Sequence, residues 1–271
     1  VALFTLAATK ENSFAAFALG KLYLAGDAAL PRDPAAALKW LTYAAELGNQ
    51  FAQYRLGKLL LKGDDGIPKD VITAIRWLTA AAKQENGYAE YALALVYLTG
   101  EDAPKDSVKA LSLLKRSAGR GNQFAQYRLG KLLLQGEDAP KDVKAAIRWL
   151  TAAAEQGNQY AQYALGKLYL LGKEVPKDRS SAIKWFQLAA DQGNEYAQYF
   201  LKHMDDRLGQ PPVAAVISLF HHLANIFQEQ NQPPPSGGVR VAVDRKLLRK
   251  IKAKKIAQGH KADDHEPEMQ L

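Results

Sequence analysis

The side chains that could carry out metal or acid-base chemistry are concentrated near the carboxyl end of the chain. His221 and His222 are adjacent on a predicted capping helix, where we expect them on the surface and not as ligands. A second group combines imidazoles and carboxylates, which are ligand types of divalent metals: His260, Asp263, Asp264, His265 and Glu266. This group lies in a charged terminus beyond a Pro/Gly-rich segment. We therefore predict neither a metal site nor a cofactor.

Nucleophilic catalysis is not indicated either. It needs an activated nucleophile beside a base, and the repeated segments place no Ser–His pair at a constant spacing. The chain has no cysteine, which excludes disulfides, thiolate metal sites and a cysteine nucleophile. We predict that this chain is not an enzyme. A hydrolase of small amides, including β-lactams, is the least favoured alternative.

The composition and the length of the apolar runs indicate where in the cell the protein resides. Apolar residues make up 48% of the chain and charged residues 24%, which is ordinary for a folded protein. No apolar run reaches the roughly 18–20 residues needed to span a bilayer. The lack of cysteine fits a reducing cytoplasm, so we predict a cytoplasmic protein without a membrane span. We interpret residues 1–11 as the end of a preceding helix of a longer protein.

An internal repeat dominates the sequence. An asparagine followed two residues later by an aromatic residue recurs at steps of 37, 37, 36, 36 and 36 residues: Asn12, Asn49, Asn86, Asn122, Asn158 and Asn194. Residues 49–61 recur letter for letter at 122–134, two repeats later, which indicates duplication of a two-repeat block. A fixed period of this length is typical of a solenoid.

Each repeat predicts two helices. The asparagine is a good N-cap, apolar residues follow it at helical spacing, and a glycine ends the first helix. Aspartates are plausible N-caps of the second helix in four repeats, and Asp33 takes the matching position in the first: Asp70, Asp106, Asp142 and Asp178 are the four. A tryptophan or leucine lies seven residues after each of them. A glycine closes the second helix in four repeats, whereas Glu85 takes that place in the second repeat.

Glycines inside the first helices indicate close helix packing. Gly20, Gly57, Gly130 and Gly166 occupy one position, where glycine costs about 1 kcal/mol relative to alanine. We expect a neighbouring helix to approach there, with tryptophan or tyrosine filling the space beside the glycine. We interpret the tryptophans as packing residues and not as a ligand site.

Two polar rows of the first helices, together with two arginines, are the predicted partner-binding face. Like positions of stacked repeats form ladders along a solenoid, and a polar ladder can hold an extended peptide or, through lysines, acidic side chains or phosphates. The predicted face consists of Gln53, Arg55, Lys58, Glu90, Gln126, Arg128, Lys131, Gln162, Lys167 and Gln198. The alternative interpretation is a plain solvated face.

The tail carries most of the net charge. Residues 240–255 contain eight Lys or Arg and one acid, which is +7 of the chain's +8. A basic amphipathic helix there could contact nucleic acid, an acidic protein or a membrane surface, or be a mobile charged tail. The predicted contact residues are Arg245, Lys246, Arg249, Lys250, Lys252, Lys254 and Lys255.

The predicted organisation follows from these segments. Five repeats and a partial sixth form a solenoid over residues 12–210, and a capping helix over 211–231 covers the apolar end of the stack. A Pro/Gly hinge over 232–238 leads to the basic helix and charged tail over 239–271.

The repeat resembles the Sel-one-like repeat (SLR), a relative of the tetratricopeptide repeat. Its motif recurs five times over roughly residues 10–205, for example as Ala161, Tyr163, Leu165, Gly166, Leu168, Tyr169, Gly172, Asp178, Ala182, Trp185, Ala189, Ala190 and Gly193. The resemblance implies an all-α, right-handed α-α superhelix whose concave face recognises proteins. Some cysteine-rich bacterial members are reported to handle β-lactams, and the lack of cysteine separates this chain from them.

The end of the chain resembles the C-terminal region of relaxases from Gram-positive conjugative elements. These mobilisation nucleases carry SLR repeats after the nuclease domain. The resemblance is carried by residues 205–206, 243–250, 259–260 and 263–266 together with the repeats. It implies the non-catalytic arm of such an enzyme, because the relaxase His-hydrophobe-His motif is not matched by the adjacent His221 and His222.

The sequence therefore predicts a protein-interaction scaffold. A protein or peptide partner would bind the concave face, and DNA or the transfer machinery would contact the basic tail. A stand-alone nucleic-acid-binding module that acts through the tail is the alternative.

Overall fold

The computed structural model describes residues 1–26, 30–63 and 66–204. In these ranges the chain forms twelve α-helices and no strand: α1 (Ala2–Ala8), α2 (Ser13–Ala25), α3 (Pro34–Glu46), α4 (Gln50–Lys62), α5 (Val71–Lys83), α6 (Gly87–Thr99), α7 (Ser107–Gly119), α8 (Gln123–Gln135), α9 (Val143–Glu155), α10 (Gln159–Leu171), α11 (Arg179–Asp191) and α12 (Glu195–Met204). The predicted capping helix, hinge and basic tail, with the seven predicted contact residues of the tail, lie outside the described residues.

The helices α2 to α11 form five consecutive antiparallel pairs, one pair per repeat. Each helix packs chiefly against the helices before and after it in the chain, and α4 also contacts α6, the first helix of the next pair. α1 packs against α2, and α12 takes the place of a sixth first helix. Contacts that run only between neighbours define a solenoid. The predicted all-α, α-α solenoid fold is confirmed.

Both predicted kinds of N-cap are present. The Oδ1 atom of Asn122 accepts hydrogen bonds from the backbone N–H groups of Phe124 (3.0 Å) and Ala125 (3.2 Å), and that of Asp142 accepts from Ala145 (2.9 Å). The asparagine is buried and its Nδ2 also donates to the Gly87 carbonyl of the preceding repeat (3.3 Å). The asparagine caps therefore join repeats as well as starting helices.

We expect Asn122→Ala to lower the free energy of unfolding by about 1–2 kcal/mol, because two N–H groups at the start of α8 lose their acceptor in a buried place. Asp142→Ala is the matched control, since water can reach that exposed cap, and it should cost less. Urea denaturation followed by circular dichroism measures both. Equal losses would contradict the joining role of the buried asparagine.

Each glycine inside a first helix lies against one large side chain of the second helix of its repeat. A Cβ atom added to Gly57 would lie 2.6 Å from Cγ of Leu78, and one added to Gly166 would lie 2.7 Å from the Phe186 ring. The filling residue is thus the one after the tryptophan, and the prediction that tryptophan or tyrosine fills this space was wrong. In the third repeat Ala94 replaces the glycine opposite a fully buried Leu114.

The loops between the two helices of a repeat are joined to one another by ion pairs. The ammonium groups of three lysines contact a carboxylate in the next repeat's loop at 2.6–2.7 Å: Lys69–Asp102, Lys105–Asp138 and Lys141–Glu174. These lysines are about half exposed, so each pair contributes on the order of 0–1 kcal/mol. The pairs link the loops of neighbouring repeats.

Candidate functional site

The first helices bring aromatic rings of consecutive repeats together at every step. The ring five residues after a repeat's asparagine contacts the ring two residues after the next asparagine. Their centroids are 5.9–6.4 Å apart and their planes are tilted by 30–46°. These are favourable tilted contacts. The five pairs are Phe17–Phe51, Tyr54–Tyr88, Tyr91–Phe124, Tyr127–Tyr160 and Tyr163–Tyr196.

One ring of most pairs is exposed. The rings five residues after the asparagine are half-buried in the first five repeats. The rings two residues after the asparagine are 37–67% exposed in these five repeats: Phe14, Phe51, Tyr88, Phe124 and Tyr160. We call these five the ring row. The sequence pattern placed this position on the apolar side of the first helix and missed its exposure. The sequence did contain a signal of this exposure. The position is aromatic in every repeat, whereas a position in the core would also accept aliphatic side chains.

The predicted basic positions lie on the same helices as the ring row. Arg55 and Lys58 on α4 are exposed, and the identical pair Arg128 and Lys131 on α8 is half-buried. Lys167 on α10, at the same position as Lys131 one repeat later, is also half-buried. On α6 the corresponding positions hold Ala92 and Leu95, so the row of cations is interrupted in the third repeat.

The cations of α8 and α10 influence one another. Burial, and then the charge of Arg128, lower the pKa of the Lys131 ammonium. Burial, and then the charges of Lys131 and Lys173, lower the pKa of Lys167. The Nε atom of Arg128 is buried and has no hydrogen-bond partner among the described residues. The charge of Arg128 thus acts on Lys131, and the charge of Lys131 acts on Lys167.

Two other kinds of site were sought in the described ranges. They contain no group of three or more His, Asp or Glu side chains placed to hold a metal ion. No helix there has the length and apolar character that crossing a membrane requires.

The repeat pattern matches a known family over most of the described chain. Sel1 repeats match residues 13–49, 50–86, 87–122, 123–158 and 159–194, and each match covers a first helix, a second helix and the turn that follows. The chain belongs to the Sel1 repeat family. Sel1 repeat proteins generally act as non-catalytic scaffolds for protein interactions. The matches end before the segments that carry the resemblance to relaxases.

Solved structures of Sel1 repeat proteins share the fold. A protective antigen of uropathogenic Escherichia coli with an SLR fold is 34% identical over 76% of this chain, with a TM-score of 0.67. This chain spans 44% of the length of that protein. A Sel1 repeat protein from Oxalobacter formigenes is 30% identical, with a TM-score of 0.65 over 71% of this chain and 76% of that one. No curated protein sequence matches this chain.

Three glutamines of the predicted binding face lie inside the Sel1 stack and not on its surface. Gln53, Gln126 and Gln162 are 3–5% exposed, and the Nε2 atom of each donates to a backbone carbonyl of the preceding second helix at 3.0–3.1 Å. Each Oε1 atom accepts from the glutamine that directly follows the next second helix, at 2.7–2.9 Å: Gln84, Gln156 and Gln192. This corrects the expected exposed ladder at these positions. Gln198 on α12 is exposed, although it makes the same carbonyl contact at 3.2 Å.

Glu90 is also buried, and it takes the place of the glutamine in the third repeat. We call the contact of this side chain with the two neighbouring second-helix ends a joint, and the joint of Glu90 is charged. Its side chain is 0% exposed and its carboxylate contacts Arg116 at 2.7 Å and Arg120 at 3.4 Å. Arg120 stands where the other joints have the second glutamine. Since a carboxylate cannot donate, Arg116 donates instead to the Ala82 carbonyl at 3.3 Å. Glu90 is thus a joint residue, which corrects its expected place on the binding face.

Alkaline pH should destabilise the Sel1 stack through its half-buried tyrosines. Burial raises the pKa of Tyr127 from 10.0 to about 12, and it also raises the pKa values of Tyr54 and Tyr91. A raised pKa means that the folded state holds the proton more tightly than the unfolded state. Stability is therefore full below pH 10 and falls as the pH rises through about 12.

We expect Tyr127 to account for about 1–2 kcal/mol of that loss, after allowance for its partial exposure. Urea denaturation at pH 9 and pH 12 measures the total. In Tyr127→Phe the loss between these two pH values should be smaller by this amount. An unchanged loss in the variant would show that Tyr127 titrates with an ordinary pKa.

Proposed function

We propose that this chain is a protein-interaction scaffold that binds a partner polypeptide across the ring row of its first helices. The observation that carries the proposal is the exposure of five aromatic side chains at one repeated position. Aromatic residues are enriched in protein interfaces, and the residues that dominate binding energy are often tyrosine or tryptophan. A repeated row of exposed rings suits an extended segment that contacts several repeats.

The ring row is distinct from the packing of the solenoid. The core is built from alanines and leucines, such as Leu78, Leu114 and Leu150, which are fully buried. Four rings of the row, those of Phe51, Tyr88, Phe124 and Tyr160, each contact a half-buried ring of the preceding repeat and stay partly exposed to water. Covering these rings with a partner would remove apolar area from water, at about 25 cal/mol per Å² before the costs of association.

Peptide selection tests this proposal. Peptides are selected on the full chain from a random library, and the affinity of the tightest is measured by fluorescence anisotropy. In Phe51→Ser/Tyr88→Ser/Phe124→Ser we expect the affinity to fall at least about tenfold. Hydrogen exchange of the complex should show protection in α4, α6 and α8.

The second helices offer a matched control. Ile72 and Val108 are 84% and 83% exposed on α5 and α7, so Ile72→Ser/Val108→Ser removes exposed apolar surface from the other helix of each pair. This variant should bind like the unmodified chain. Equal losses in both variants, or failure to select any peptide, would refute the proposed scaffold face.

The assignment of a parent protein rests on the sequence beyond residue 204. We also infer that the chain is the C-terminal arm of a conjugative relaxase, and the support is the resemblance of residues 205–266. A relaxase domain encoded in the same reading frame would support this assignment, and an unrelated domain would refute it. The cytoplasmic location stays a prediction.

DNA binding through the tail is the second candidate function. The observation that favours it is the charge of +7 within residues 240–255. Binding of a DNA duplex should weaken steeply with salt and be lost when residues 240–255 are deleted. Retention of binding after that deletion would contradict this candidate.

A further inference from the structure

We propose that the second helices α5, α7 and α9 form a docking surface for a bilayer whose headgroups are anionic. The proposal goes beyond the scaffold function and is independent of it, because polypeptide binding uses the first helix of each pair. Docking of this kind would place the scaffold at a membrane. The support comes from unpaired charge, the alignment of the three helices and two exposed aliphatic side chains.

Each second helix presents one residue per turn along a single exposed side. These residues lie two, six, nine and thirteen positions after the capping aspartate, which is the spacing of one helix face. Apart from Thr151, which is half-buried, all of them are exposed in α5, α7 and α9. We call the twelve residues the outer strip: Ile72, Arg76, Thr79, Lys83, Val108, Ser112, Lys115, Gly119, Lys144, Arg148, Thr151 and Glu155.

The outer strip is positively charged. It contains a single acid, Glu155 at the end of α9, and five cations: Arg76, Lys83, Lys115, Lys144 and Arg148. None of these five forms an ion pair with another described residue. The loop lysines differ in this respect, as Lys105 contacts the Asp138 carboxylate at 2.7 Å. Unpaired cations on one side of the stack complement the charge of acidic headgroups.

The structure holds α5, α7 and α9 side by side at both ends. Lys69, before α5, contacts Asp102, before α7, at 2.6 Å, and Ser107 at the start of α7 donates to Asp138, before α9, at 2.7 Å. At the other end, the joints described above connect α5 to α7 and α7 to α9. Like positions of stacked repeats form rows, so the cations of the three helices belong to one surface.

Two exposed aliphatic side chains favour a membrane over nucleic acid. Ile72 and Val108 occupy the same position in the first turns of α5 and α7, and they are 84% and 83% exposed. Aliphatic side chains beside cations suit the boundary between headgroups and acyl chains, whereas a phosphate backbone offers them no apolar contact. Single-stranded nucleic acid is bound by stacking on aromatic rings, and the outer strip contains none.

Tryptophan fluorescence can observe contact at this surface. All four tryptophans of the chain lie on second helices, and Trp77 and Trp149 directly follow Arg76 and Arg148 of the outer strip. The full chain is mixed with phosphatidylcholine vesicles that contain about one third phosphatidylserine and brominated acyl chains, which quench tryptophan. We expect quenching with these vesicles, weaker quenching at high salt, and none with phosphatidylcholine alone. The basic tail contains no tryptophan, so its contact alone gives no quenching.

Matched variants test which helices make the contact. Arg76→Gln/Lys115→Gln/Arg148→Gln removes one cation from each of the three helices and should weaken vesicle binding at least about tenfold. The control Lys21→Gln/Arg55→Gln/Lys58→Gln removes the same number of exposed cations from first helices, and binding should change less than about threefold. Ile72→Ser/Val108→Ser should weaken binding about fivefold, because the aliphatic contacts are lost.

The outcomes decide between this surface and the other possible sites. Equal losses in the two triple variants would show that only the net charge matters and would overturn the proposal. Vesicle binding in a sedimentation assay without tryptophan quenching would assign the contact to the tail, and the proposal would again be wrong. Tighter binding of a DNA duplex or of polyglutamate than of vesicles, lost in the outer-strip variant, would reassign the surface to nucleic acid or to an acidic protein.

Discussion

Arg116→Ala/Arg120→Gln should lower the free energy of unfolding by about 3 kcal/mol. The double variant leaves the carboxylate of Glu90, which is 0% exposed, without either guanidinium. An unpaired buried charge costs several kcal/mol, whereas a pair in the same place contributes little net stability. The arginines are 33–50% exposed, so water can solvate them, and Glu90→Ala should be less harmful than their removal.

Adding a third change should restore most of the loss. Glu90→Gln in the same background recreates the combination found one repeat later, where Gln126 and Gln156 pair and position 152 is alanine. The new glutamine can donate to the Ala82 carbonyl as Gln126 donates to Ala118. We expect the triple variant to lie within about 1 kcal/mol of the unmodified chain.

Urea denaturation of the double and triple variants, with Glu90→Ala beside them, measures this pattern. Rescue by Glu90→Gln is the decisive comparison, because this change removes the buried carboxylate charge that lacks a partner and adds no other charge. If the triple variant is as unstable as the double variant, the arginines stabilise α7 by other contacts and the charged joint is not equivalent to the glutamine joints.

The fold was predictable because its determinants are local and repeated. Asparagine and aspartate caps, helical spacing of apolar residues and closing glycines recur at fixed places, so each repeat supports the assignment of the others. Gly48, Gly121, Gly157 and Gly193 adopt the left-handed conformation at the ends of the second helices, with φ of 84–87°. Glu85 adopts it as well, at φ 64°, and its carboxylate contacts Arg120 at 2.9 Å.

The buried glutamines were not predictable from their polarity. A polar side chain at helical spacing from the apolar residues indicates a solvated row, unless its partners in other repeats are known. Gln53 is buried because one carbonyl and one glutamine lie where its amide can use both its donor and its acceptor. The carbonyl lies in one second helix and the glutamine directly follows the next one, and only the stacked structure defines how these helices approach. The co-occurrence of Glu90 with Arg120, thirty residues later, was the one signal in the sequence.

The partner-binding face changes accordingly. Arg55, Lys58, Arg128, Lys131 and Lys167 lie at the surface or half-buried beside the ring row, and they remain predicted contact residues. Their difference in burial follows from which helix packs beside each of them, and residues 49–61 and 122–134 are identical in sequence. The sequence therefore could not predict that Arg128 and Lys131 are more buried than Arg55 and Lys58.

Phe186→Ala should cost about 3–5 kcal/mol in the last complete repeat. Phe186 is fully buried, lies against Gly166 and stacks on Phe200, with ring centroids 5.3 Å apart and planes 12° apart. It also contacts the Tyr163 ring at 5.8 Å. Truncation would remove the contact that joins α10, α11 and α12. Phe186→Leu is the control, because leucine fills this place in the other repeats, and it should cost less than about 1.5 kcal/mol.

The location of the loss is as informative as its size. In a stack whose repeats contact only their neighbours, a damaged end repeat can unfold alone, whereas damage in the middle affects both sides. Hydrogen exchange of Phe186→Ala should show lost protection in α11 and α12 with α2 to α7 unchanged. Leu78→Ala, at the equivalent place in the second repeat, should reduce protection from α3 to α6. A uniform loss along the whole stack in Phe186→Ala would mean that the five repeats unfold as a single cooperative unit.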